Sequence, residues 1–405
     1  LKILIAHNYY QQAGGEDHCV TAEVAMLQDR GHEVIRYSLH NDAVDSMNRI
    51  QVGLRTIWSR AGHHDIQALI RAHRPDVVHF NNTFPLISPA AYYAARAERV
   101  PVVQTLHNFR LLCPNALFFR DGKVCEDCLG KAIPWPGVLH KCYRGSRAAS
   151  ATVAAMLTTH RALGTWRNAV DAYIALTEFG RRKFVEGGLP ADKVVVKPNF
   201  VYPDPGVGAG TGRYAVFVGR LSEEKGIDTL LTAWKSLGAT IPLKIVGNGP
   251  LAGAVAQAAT PDSGIEWLGS RPPEEVYPLI GQATFLVLTS QCYENFPRVV
   301  IEAFAKGTPV IVSDLGAMAH VVDPGRTGMR FEPGNAADLA AKVRQLLAAP
   351  LDLERMRQAV RQDYETKYTA SSNYDTLMAI YEQARRTAAA ASVPRGDTLS
   401  IGGSP

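Results

Sequence analysis

Two doubly wound α/β domains joined by a short hinge are the fold this sequence predicts. Three observations carry that expectation. Short apolar runs alternate with helix-period stretches, a Pro- and Gly-dense segment interrupts them halfway, and the same alternation then restarts. A chain of 405 residues has room for two or three domains at about 150 residues each.

The first apolar run, residues 2–6, reads as a buried parallel strand. A loop containing Gly14 and Gly15 follows, then a helix to about Arg30 stopped by Gly31. Strands are expected at 33–39, 76–80, 102–106, 172–176 and 194–197, completing an N-terminal domain over 1–200. Residues 201–213 are rich in Pro and Gly without apolar periodicity and read as a linker. A second domain over 214–370 takes strands at 214–218, 243–246, 285–288 and 309–312, and helices at 226–237, 297–306 and 335–347. A final helix is expected at 371–386, and the tail 387–405 reads as disordered. Ligands of such sheets bind beyond the carboxyl ends of the strands, so two facing domains place a cleft between them.

Composition narrows the function classes. With 46% hydrophobic and 20% charged residues the chain suits a soluble globular protein. Its formal charge of +5 is mild, and no long basic run or aromatic–basic alternation points to nucleic acid. No apolar run reaches the roughly 18–20 residues that span a bilayer. A signal-peptide pattern is not seen, so a cytoplasmic location is expected, with the six cysteines as thiols or metal ligands.

Two segments carry chemistry. Residues 217–226 end a strand and open a helix. Gly219 permits an unusual turn there, and Arg220 and Lys225 stand where an anion would gain from cations and from the helix start. Two solvated charges beside a helix cap would look the same. Downstream, Glu294 precedes a helix begun at Pro297, and Glu302 lies in its second turn. Carboxylates accept well from paired sugar hydroxyls. Acids that merely complement a helix dipole are the alternative.

Together the motifs Gly-Arg-x4-Lys-Gly and Glu-x7-Glu, in this order, resemble the retaining glycosyltransferases of family 4, the group 1 enzymes of GT-B fold. The resemblance covers essentially the whole chain. It implies two Rossmann-like domains facing a cleft, with Arg220 and Lys225 on the donor diphosphate. Glu294 would contact the transferred sugar, assisted by backbone N–H groups at Asn295 and Phe296, and Glu302 would bind the ribose. Loops around Gly247-Asn248 and Leu268–Arg271 would line the base pocket. His107, just past a strand, would reach the donor sugar across the cleft, a structural loop histidine being the alternative. The family's usual Gly-Phe-Gly after the first Glu is Asn295-Phe296-Pro297 here, which bears on sugar preference. Gly14 and Gly15 would let backbone approach the donor phosphate or the acceptor, or simply form a tight turn. Glu16 and Asp17 read as caps of the following helix.

Arg220, Lys225 and the helix start can stabilise a leaving diphosphate, and no Asp-x-Asp stands nearby to hold a cation. No cofactor is therefore expected for catalysis. Cys113, Cys125, Cys128 and Cys142 fall in an insertion over 113–145 that needs a staple. A structural zinc, with His140 able to replace one thiolate, and unligated buried thiols are both open. Cys19 and Cys292 read as small packing residues. Residues 47–60 mix apolar side chains with Arg49, Arg55, Arg60 and Trp58, as a helix lying on an inner membrane face does, or as one packing on its own sheet.

The expected activity is transfer of a hexose from a UDP- or GDP-linked donor to a saccharide acceptor, lipid-linked or free, in cell-surface polysaccharide or glycolipid synthesis. A sugar-nucleotide epimerase of the same fold and a non-catalytic nucleotide-sugar-binding protein are the alternatives. A dehydrogenase is disfavoured, since no Gly-x-Gly-x-x-Gly follows the first strand.

Overall fold

The computed structural model describes residues 1–12 and 14–392. Its first sheet contains β1 (Lys2–Tyr9), β2 (Glu33–His40), β3 (Val77–Phe80), β4 (Val102–Leu106), β5 (Ala172–Ala175) and β6 (Val194–Val196), in the order β2-β1-β3-β4-β5-β6. The second contains β7 (Ala215–Val218), β8 (Leu243–Val246), β9 (Ile265–Gly269), β10 (Phe285–Leu288), β11 (Val310–Ser313) and β12 (Gly328–Phe331), in the order β9-β8-β7-β10-β11-β12. Every pairing in both sheets is parallel. These are two Rossmann-like halves of a GT-B fold. Strand order reverses at β1 and at β7, and the crevices beside these switch points are where such sheets take ligands.

The central strands are continuous apolar runs because helices cover both faces. Val77, Val78, Val102, Leu286, Val287 and Ile311 are all fully buried. Strands β9 and β12 were not expected from the sequence, and both lie at edges. Along β9, Glu266 is exposed beside buried Ile265. β12 opens on Gly328, where a Cβ would sit 2.1 Å from the Val310 carbonyl oxygen. A glycine that reads as a strand breaker is there the residue that lets two backbones approach.

Three expectations need correction. The segment 47–60 is not one helix: the first ends at Ile57, Trp58 is extended, and a second helix, Arg60–His73, starts after the Ser59 cap. Trp58 stacks on His160 and leans on Tyr93, so it serves packing rather than standing free as an anchor. The final helix runs Ala370–Ser392, so residues 387–392 continue it instead of starting a disordered tail; residues 393–405 lie outside the described residues.

The glycine-rich stretch at 201–213 does not swing free. Gly208, Gly210 and Gly212 donate backbone hydrogen bonds to Lys306, Gly281 and Gln282, and Arg357 and Arg361 bind it through Gly208 and Asp204. The final helix lies against the first sheet. Tyr381 hydroxyl meets His79 Nδ1 at 2.8 Å, and Lys197 Nζ, 3% exposed, donates to both Glu23 and Asn373 at 3.0 Å.

Candidate active site

The carboxyl ends of β7, β8 and β9 are stitched together. Gly219 N–H donates to Val246, Gly247 N–H to Gly269, and Leu221 N–H to Asn248. Gly247 has φ +139°, and a Cβ on it would lie 1.9 Å from the Gly219 carbonyl oxygen, so this contact requires glycine. Asn248 spends its side-chain oxygen on Gly249 N–H. Arg271 is tied to the Leu268 carbonyl and to Glu275, on the flank of the site.

The loop after β7 is then clamped to the loop after β10. Thr289 hydroxyl donates to the Lys225 carbonyl, Gln291 N–H donates to Glu224, and Gly226, at φ +67°, packs on the Thr289 carbonyl. This clamp brings Lys225 Nζ to 2.5 Å from Glu294 Oε1, which also accepts from Ser290 at 2.6 Å. Burial opposes the Lys225 charge, yet Glu294 outweighs it and pushes the lysine up to about 12. Burial would likewise raise the Glu294 carboxyl, but Lys225 and Ser290 hold it below the ordinary value. Arg220, on the same loop, is exposed and has no side-chain partner among the described residues.

Glu302 stands apart from this group. It pairs with Arg298 at 3.0 Å one turn back, and burial raises its carboxyl despite that cation. Arg298 faces the N-terminal half, where Gly15 approaches it closely enough that a Cβ would touch its Cβ at 3.9 Å. Gly14 has φ −121° and open space at its Cβ position, so the protein fold itself does not require glycine there. Asn295 reaches across the cleft: its side chain donates to the Leu106 carbonyl at the end of β4, and its own carbonyl accepts from Thr177. Phe296 points into the core against Tyr368, leaving only its backbone to face a ligand.

Two comparisons decide the family. The model for "Glycosyl transferases group 1" matches residues 206–363, and that for "Glycosyltransferase Family 4" matches residues 13–204. The chain belongs to the group 1, family 4 glycosyltransferases. Among curated relatives, glycogen synthase of Mycobacterium tuberculosis is 33% identical over 169 residues, 39% of this chain and 41% of that protein. The chain thus spans about two fifths of the length of the first curated relatives it matches. An uncharacterized 42.6 kDa protein in the cps region of Klebsiella pneumoniae is 23% identical over 79% of this chain and 86% of its own. Among solved structures, Anabaena Alr3699/HepE in complex with UDP superposes with TM-score 0.68 at 16% identity, covering 94% of this chain and 100% of that one. Sucrose-phosphate synthase from Thermosynechococcus elongatus gives 0.70 at 17%, covering 94% and 98%. Both share the GT-B fold.

On the N-terminal side of this family 4 chain, a cavity opens beside β3 and β4. His107 borders it and is held through Nε2 by Asn81 Oδ1 at 2.8 Å. Burial lowers His107 to about 3, so the ring is neutral near pH 7 and Nδ1 is left as an acceptor. Asp17 caps the first helix by accepting from Gly14 N–H, and also binds His7. Glu16 was expected to do the same and does not. It turns into the cavity, where Oε2 accepts from Tyr10 hydroxyl at 3.0 Å and Asn108 at 3.3 Å. Tyr10, Asn81, Asn108 and Arg110 were missed from the sequence, because nothing in a local pattern tells which loops meet at a strand end. The run His107-Asn108-Phe109-Arg110 after β4 was the one available hint.

The expected structural zinc finds no support. Among the described residues no group of three or more His, Cys, Asp or Glu is placed to hold a metal, and all six cysteines are free thiols. Burial raises the Cys125, Cys128 and Cys142 thiols, Cys128 to about 11, which disfavours thiolate. The insertion is held otherwise. Phe109, Phe118 and Phe184 form a buried aromatic cluster, Arg161 binds the carbonyls of Leu111, Lys131 and Ala132, and a short hairpin pairs Phe119–Arg120 with Lys123–Val124. Cys19 and Cys292 are buried in packing positions.

Proposed function

We propose that this chain is a retaining, metal-independent glycosyltransferase that moves a hexose from a UDP- or GDP-linked donor to a saccharide hydroxyl. The Lys225–Glu294 pair carries this reading: it sets a cation for phosphate and a carboxylate for sugar hydroxyls side by side at a sheet switch point, on the loop of unpaired Arg220. In this reading residues 214–370 hold the donor, 1–200 the acceptor, and 201–213 connect them. Arg220 and Lys225 bind the diphosphate, Glu294 the transferred sugar, Glu302 the ribose, and neutral His107 accepts from a donor-sugar hydroxyl.

The acceptor oxygen bonds to the anomeric carbon as the bond to the phosphate oxygen breaks on the same face. The acceptor proton passes to that phosphate oxygen, and the nucleoside diphosphate departs. Arg220 and Lys225 act by stabilising the charge that grows on the leaving group. Solved structures of this fold in complex with UDP and UDP-glucose support the donor class.

No helix among the described residues is long and apolar enough to cross a membrane. For a lipid-linked acceptor, the proposal places Ile50 and Leu54, 75% and 65% exposed, together with Arg49 against an anionic inner membrane face. Flotation with anionic but not neutral vesicles, lost in Ile50→Ser/Leu54→Ser, tests that contact. The donor reading is tested by thermal shift with UDP-, GDP- and ADP-sugars, followed by nucleotide release. Stabilisation by none of them overturns it, and sugar interconversion without acceptor would point to an epimerase.

A further inference from the structure

Three residues that line the N-terminal cavity, Glu16, Asn81 and Trp166, each bury one polar atom that no protein group satisfies. Glu16 uses only Oε2, on Tyr10 and Asn108; Oε1 is buried without a hydrogen-bond partner. Asn81 uses Oδ1 on His107; Nδ2 is also buried without a partner. Buried polar atoms are normally paired, so three orphans around one cavity, two of them donors and one an acceptor, are a sign of a ligand that supplies what the protein withholds. Their chemistry is complementary. Asn81 Nδ2 can only donate, and an ionised Glu16 Oε1 can only accept. A hydroxyl does both at once. A carboxylate or phosphate would satisfy the amide but meet the Glu16 charge, and an ammonium would do the reverse.

The rest of the cavity fits a sugar. Phe84, Tyr92 and Leu111 supply apolar wall, the Trp166 indole adds an unpartnered N–H donor, and the Arg110 guanidinium lies between the rings of Phe84 and Tyr143 at 4.6 and 4.8 Å. Asn81 also links the cavity to the reaction centre, because it positions His107. The Tyr10 and Asn108 contacts occupy Oε2 of the Glu16 carboxylate and leave Oε1 as the oxygen without a partner.

We propose that Glu16 Oε1 and Asn81 Nδ2 together bind a ring hydroxyl of the acceptor saccharide, and that this pair fixes which acceptor hydroxyl faces the donor. The inference rests on the transferase reading above, and names two residues that neither the motifs nor the resemblance assigned. It also explains why the first helix carries an acid in the cavity beside the one that caps it.

Saturation-transfer NMR on the whole protein with UDP present tests it, using methyl α-glucoside, α-galactoside and α-mannoside as probes. At least one probe should receive saturation from the wild type, and the signal should fall by most of its intensity in Glu16→Ala and in Asn81→Ala. UDP should still raise the melting temperature of both variants. No probe signal with wild type, or unchanged signal in both variants, overturns the proposal. Failure of UDP and every other nucleotide to stabilise the wild type would instead strike at the transferase reading itself.

Discussion

Lys225 Nζ and Glu294 Oε1 lie 2.5 Å apart, so the cation proposed for phosphate and the carboxylate proposed for sugar are each other's partner in the protein alone. Both side chains are mostly buried, at 24% and 14% exposure. In the proposed reading, donor binding shares this pair between phosphate and hydroxyls rather than creating it. Lys225→Ala should lower donor kcat/KM by about 100- to 1000-fold, as loss of a charge-stabilising group does. It should also destabilise the fold, by up to about 3–5 kcal/mol, because Glu294 is left buried without a cation. The sign with pH follows from Glu294, held below its ordinary value. The pair's stabilisation is present above the unfolded carboxylate value and is lost as pH falls through the depressed one. Urea melts of wild type and variant should converge in acid, and parallel curves at every pH would refute the pairing.

Arg220 should behave in the opposite way. It is exposed and unpaired among the described residues. Arg220→Ala is expected to change stability by no more than about 0.5 kcal/mol. Donor turnover should nevertheless fall by about tenfold or more, since its work begins only when a diphosphate is present. A variant that melted early with normal kinetics would make Arg220 a structural residue.

Lys197, Glu23 and Asn373 join the final helix to the first sheet, with His79 3.2 Å from Glu23. Burial would raise Glu23, but Lys197 and His79 hold it well below the usual carboxylate range. Lys197→Met should cost about 3–5 kcal/mol by stranding that carboxylate. Adding Glu23→Gln should recover much of the loss, which chemical denaturation of the double-mutant cycle would measure. No recovery would mean that Lys197 acts by packing alone.

Glu16 gives a stability trend of the other sign. Burial raises its carboxyl to about 7, with Asp17 adding to the rise and His7, Tyr10 and Asn108 opposing it. A raised acid contributes stability that is present below the unfolded value and lost as pH rises through the folded one. Wild type should therefore lose stability between about pH 5 and 8 relative to Glu16→Gln. Melting curves of the two proteins that kept a constant gap over that window would show that the group does not titrate there.

The halves of the fold were legible because buried parallel strands are apolar on both faces, and runs such as Val102-Val103 or Phe285–Leu288 fit little else. The edge strands β9 and β12 were not, since an edge strand hides only one face and Gly328 reads as a breaker until its neighbour is known. The loops proposed to hold the donor were legible as motifs because they are marked by backbone turns and by charges a few residues apart. Asn295 showed only as a departure from the usual Gly, and its bond to Leu106 joins residues 189 positions apart.

The sequence by itself determined the two-sheet architecture, the family, and the loops that carry Arg220, Lys225, Glu294 and His107, all of which follow from local pattern and short spacing. Only the tertiary structure decided who pairs with whom. It gave Lys225 to Glu294 and Arg298 to Glu302, packed the glycine-rich connection onto the second domain, and turned Glu16 from a helix cap into a cavity wall. The physical reason is that hydrogen bonds and ion pairs are satisfied at a few ångströms, whatever the chain distance, and no local pattern records which strand ends will meet.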